Sequence, residues 1–146
     1  MENIDIDFKR KCIEDVIRLN NGAALQYMAK RSNLDFASLV PGSNKTYMQM
    51  AIDYGANKVV DMLLESDTDV SSDEKANEAF SYLLNVEKRT LLHSENKQEH
   101  SEKMGQLLMI AGSLMKACSK LQCSLKKRRV QTPIARSLMS YQAQMG

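Results

Sequence analysis

Tryptophan is absent from this chain, and proline (2), glycine (6), phenylalanine (3) and tyrosine (5) are scarce among its 146 residues. So few turn formers and so few aromatic or β-branched runs exclude an all-β sandwich or barrel. Cysteine occurs three times, at Cys12, Cys118 and Cys123. An odd set in a chain this long excludes a secreted disulfide framework and predicts reduced thiols in a cytoplasm. Long apolar runs are missing too. The longest, Leu107 to Ala111, falls far short of the ~20 residues that span a bilayer, so no transmembrane segment is expected. Met1 to Lys11 mixes acids and bases with no apolar centre, and no signal peptide is visible. No glycine-rich phosphate loop, His-Glu zinc motif or nucleophile elbow occurs, so nothing points to an enzyme or to a catalytic residue. Cys118 and Cys123, with His93 and His100 expected in a separate polar loop, are too few for a metal site. No metal or other cofactor is expected.

What the chain has in quantity is methionine (10) together with leucine, alanine, lysine and glutamate. These favour helix, and the predicted fold class is all-α. Apolar residues at 43% and charged residues at 26% are ordinary for a globular protein. The net charge of +2 hides an asymmetry. Residues 1–70 hold 8 basic and 11 acidic side chains, a net of −3, and residues 71–146 hold 12 and 7, a net of +5. The last acid is Glu102. Lys103, Lys116, Lys120, Lys126, Lys127, Arg128, Arg129 and Arg136 follow it unopposed.

Apolar residues at helical spacing predict a helix over Ile6–Leu19, stopped by Asn20-Asn21-Gly22, and a short second helix over Ala23–Lys30. Ser32 to Ser43 holds Pro41-Gly42 and reads as a loop. Thr46 starts a third helix that reaches Tyr54, with Gln49 placed to complete a capping box. Gly55 ends it, and Lys58–Glu65 is a fourth. Ser71 and Glu74 form a second capping-box signature ahead of Ala76, Ala79, Phe80, Leu83 and Leu84. His93 to Glu102 is polar and is expected to link two long helices. Met104, Leu107, Leu108, Ala111, Leu114, Met115, Cys118, Leu121 and Leu125 then form one stripe. Thr132 and Pro133 open a last helix whose apolar side is Ile134, Leu138, Tyr141 and Met145.

Thr46 to Ser71 reads TYMQMAIDYGANKVVDMLLESDTDVS. It resembles an ankyrin repeat, a helical hairpin of pattern TPLHxAAxxG followed by VxxLLxxGADVN. Thr46, Met48, Ala51 and Gly55 fall on the first half, and Val59, Val60, Leu63, Leu64 and Asp69-Val70 on the second. Tyr47 stands where the family has Pro, Gln49 where it has His, and Asp67-Thr68 where it has Gly-Ala. Cys12 to Phe36 is similar to a degenerate upstream copy. The resemblance implies ankyrin-like hairpins over 1–70, with 71–146 a helical extension packed on the stack. It also implies a protein–protein interaction module that binds its partner on turn tips and inner helices. Carried over, those positions are Asn44, Lys45, Tyr47, Gln49, Asp53 and Tyr54, expected to be exposed or half-exposed. Ankyrin-like pieces joined to unrelated helices are common in proteins that viruses or intracellular bacteria deploy in host cells. The implied role is an adaptor or a pathogen protein acting on host proteins, in the cytoplasm or nucleus.

The run Lys126-Lys127-Arg128-Arg129 has two readings. It is either a patch for nucleic acid or anionic lipid, or the solvated end of a helix whose dipole favours cations. The solvated end is preferred, although the lack of acids nearby narrows the margin. The methionine-rich stripe reads as core before it reads as a groove for a partner helix. A short two-repeat stack also leaves an end open to self-association as a homo-oligomer.

Overall fold

The computed structural model describes residues 2–66, 71–93, 97–118, 132–134 and 136. Among the described residues it is all-helical: six helices, no strand, and one isolated bridge between Leu39 and Thr46. The chain divides into two compact units, Met1–Ser71 and Ser72–Gly146.

The first unit holds α1 (Glu2–Arg18), α2 (Gly22–Ser32), α3 (Tyr47–Asp53) and α4 (Asn57–Glu65). α1 and α2 form one hairpin and α3 and α4 another, and α1 packs on α3 while α2 packs on α4. Both hairpins turn on a left-handed residue. Gly55 takes φ 66, where any Cβ is strained, and Asn20 takes φ 56. Asn21 caps α2 through its side chain, which accepts from the Ala24 N–H at 3.0 Å. Asn33, left-handed at φ 52, closes α2 in the role more often filled by glycine. Thr46 caps α3 in the reciprocal box with Gln49, both bonds being 3.1 Å.

Between the hairpins, Val40 to Ser43 makes a turn closed by a 2.9 Å bond from the Ser43 N–H to the Val40 carbonyl. Pro41 sits first in it and Gly42 second at φ 74, the pattern of a type II turn. Gly42 is pressed against α1. A Cβ there would lie 2.8 Å from Ile6 Cγ2, and Arg10 donates to its carbonyl at 3.2 Å. Contact is as close between α2 and α4, where a Cβ on Gly22 would meet the Lys58 carbonyl oxygen at 3.0 Å. The unit's core is Ile13, Ile17, Leu25, Val40, Ile52, Val59, Val60 and their neighbours.

The second unit is a hairpin of two long helices, α5 (Ser72–His93) and α6 (Lys97–Ala117). α5 buries Ala76, Ala79, Phe80, Leu83 and Val86, and α6 answers with Leu107, Ile110, Ala111 and Leu114, followed by Cys118. Two expectations are corrected here. The polar stretch His93 to Glu102 is mostly helix, because Lys97, Gln98, Glu99 and Glu102 are good helix formers with no need of a buried face. His93 therefore ends α5, and His100 lies within α6 rather than in a loop. The α6 stripe is also rotated: Ile110 is buried in it, while Leu108 is 39% exposed.

Thr132 and Pro133 begin a helical turn, tied by the 3.0 Å bond from the Arg136 N–H to the Thr132 carbonyl. Ile134 beside them is buried. The closing turn Asp67-Thr68-Asp69-Val70, Cys123, Leu121, Leu125, Leu138, Tyr141, Met145 and the basic run Lys126–Arg129 lie outside the described residues.

Candidate functional site

The residues expected to form a docking face separate into two groups. Asn44 is exposed beside the turn tip. Lys45 reaches forward from the loop and forms an ion pair with Asp53 at the end of α3. The next residue, Tyr54, lies under Arg18 of α1, the guanidinium carbon 5.2 Å from the ring centre. Arg18 in turn pairs with Asp15 at 3.6 Å. A bond to the Tyr54 hydroxyl is the main cause that raises the Arg18 pKa above its ordinary value. Lys45–Asp53 and Tyr54–Arg18–Asp15 thus form two polar groups on the consecutive residues Asp53 and Tyr54, and the second joins α1 to the end of α3.

Gln49 is half-buried and committed to the Thr46 cap. Tyr47 departs most from expectation, because it is not exposed at all. It is 1% exposed and meets Phe36 edge-on, with ring centres 5.1 Å apart and planes at 77°. Burial, and then the negative charge of Asp35, raise its pKa above the usual phenol value. The loop supplies the cover. Asp35 accepts from the Ala37 N–H at 3.0 Å and the Ser38 hydroxyl at 2.9 Å, fixing the turn beside Phe36. Tyr47 therefore belongs to the core and is removed from the docking face.

Two residues that the sequence did not single out carry the most specific polar geometry. Ala56 occupies the cap position of α4 and offers no side-chain bond. Asn20, from the other hairpin, supplies it. Its Oδ1 accepts from the Lys58 and Val59 N–H groups at 2.8 and 3.4 Å, and its Nδ2 donates to Asn57 Oδ1 at 3.0 Å. In the second unit Glu87 is 0% exposed and accepts from the Ile134 N–H at 2.9 Å, while its Oε1 has no hydrogen-bond partner among the described residues.

The chain matches no family model, no curated protein and no solved structure. Its chemistry is therefore read from its own geometry. Among the described residues no three His, Cys, Asp or Glu side chains are grouped to hold a metal ion, and no helix is long and apolar enough to cross a membrane. An open groove of the first unit, about 840 Å³, is lined by Asn20, Gly22, Gln26, Lys58 and Asp61 with Met62. What the two polar groups beside α1 and α3 offer is a fixed arrangement of charges and one aromatic ring at a surface, which suits recognition of another surface.

Proposed function

We propose that the first unit is an ankyrin-like protein-docking module whose partner is another protein. The observation that carries this reading is two neighbouring polar groups, Lys45–Asp53 and Tyr54–Arg18–Asp15. Each side chain in them is held by a neighbour, so little rotamer freedom is lost when a partner arrives. The Thr46 capping box, the left-handed Gly55 and the pairing of α1 with α3 and of α2 with α4 all support ankyrin-like construction. On this reading the protein works in a cytoplasm, as an adaptor or as a pathogen protein engaging a host protein. The docking residues are Asn44, Lys45, Asp53 and Tyr54, with Arg18 added and Tyr47 and Gln49 withdrawn.

Cross-linking in cells identifies the partner, and variants then map the face. Tyr54→Ala should weaken binding about tenfold or more, as central aromatic contacts do, with helix content unchanged. Tyr27→Ala, on an exposed ring of α2, should leave binding intact. Equal binding by both variants would remove these two groups as the docking face.

A second reading rests on the absence of acids after Glu102: the region Lys116 to Arg136 binds nucleic acid or anionic lipid. It predicts binding that falls steeply with salt and is lost when Lys126, Lys127, Arg128 and Arg129 are neutralised.

A further inference from the structure

α6 turns its core residues, Leu107, Ile110, Ala111 and Leu114, to one side. Its opposite side has a pattern of its own. Glu102, Gly105, Met109, Gly112 and Lys116 recur at alternating spacings of three and four, the seam spacing of paired helices. With 3.6 residues per turn they share a strip roughly 80° wide along the helix. Met109 in its middle is 59% exposed, and Leu108 at its edge is 39% exposed. A Cβ on Gly105 or Gly112 would meet nothing within 4 Å, so no neighbour among the described residues requires either glycine. Both nevertheless weaken the helix they sit in. The seam is also symmetrical in charge. Glu102 stands two turns before Met109 and Lys116 two turns after it, and both are exposed.

We propose that two copies of this chain pair through this seam, α6 against α6, antiparallel about a two-fold axis near Met109. Glu102 of each copy then faces Lys116 of the other. A parallel pairing would set like charges together. The two glycines let the backbones approach closely, and Met109 fills the space beside them. The contact is isologous, and so it closes at a dimer. One helical face per copy puts the buried area at the low end of specific interfaces, below about 1,200 Å², so the dimer is weak.

Sedimentation of the full chain over about 1 µM to 1 mM tests this. The expected result is a reversible monomer–dimer equilibrium. Glu102→Lys and Lys116→Glu should each weaken it about tenfold, because each turns two attractions into repulsions. An equimolar mixture of the two variants should dimerise again, since both contacts between unlike copies become attractive. Gly112→Leu should weaken pairing without loss of helix content. A native chain that stays monomeric at about 1 mM overturns the proposal. So does a dimer indifferent to both charge reversals, or a mixture that does not restore pairing.

Discussion

In the first unit the opening N–H groups of α4 are met by Asn20, and in the second the Ile134 N–H is met by Glu87. Asn20 comes from the turn between α1 and α2, and Glu87 from α5. The amide of Asn20 uses both ends, accepting at Oδ1 and donating at Nδ2, and carries no charge. Glu87 is fully buried with only one oxygen bonded. The first contact is locally satisfied, whereas the second carries the desolvation of a half-bonded polar group. The difference teaches that a polar contact between segments distant in sequence is not a stabiliser by default. Its worth depends on how many of its atoms find partners.

The largest expected effect concerns the two aromatic anchors, Tyr47 in the first unit and Phe80 in the second. Tyr47→Ala and Phe80→Ala should each lower stability by about 4 kcal/mol in urea titrations. A loss below about 1 kcal/mol for Tyr47→Ala would return that ring to the surface. Alkali distinguishes the two. Because the folded Tyr47 pKa is raised, its contribution is fully present below the unfolded phenol value near 10 and disappears as the pH climbs through the folded value. Tyr47→Phe should flatten that alkaline loss.

Asn20 comes next. Asn20→Ala removes the α4 cap and forces an L side chain without local hydrogen bonds into a left-handed turn, for a loss of about 3 kcal/mol. Asn20→Gly keeps the backbone freedom and loses only the cap, about 1 kcal/mol. Equal losses for the two would mean that the turn conformation contributes nothing. The smallest effect is near zero. Glu87→Leu removes the unpartnered Oε1 but also takes the acceptor from the buried Ile134 N–H, so the two offset and thermal and urea unfolding should shift by less than about 1 kcal/mol. A clear loss would make Glu87 as stabilising as Asn20 and erase the contrast.

The helices of the first unit were legible because their signals are local. Thr46 and Gln49 are three residues apart, Gly55 marks its own turn, and Val59 to Leu64 repeats at helical spacing. Asn20 and Glu87 were not legible because their partners lie 37 to 39 and 47 residues away. Asn20 reads locally as a helix stop, and nothing adjacent to Glu87 marks it as buried. Tyr47 was misplaced for a related reason. Its position in the repeat pattern says nothing about a preceding loop that carries Phe36 over it. The link between α5 and α6 was overestimated because a polar sequence with high helix propensity resembles a loop wherever no apolar face marks it.

Asn20 also limits how portable the second hairpin is. Ala56 cannot cap the helix that follows it. A graft of α3 and α4 into another scaffold would therefore arrive with its outer helix frayed unless the host donated an asparagine from upstream. Duplication of that hairpin within a gene would meet the same demand. Any lineage that lengthened this array would have to copy the tail of the preceding turn along with the helices themselves.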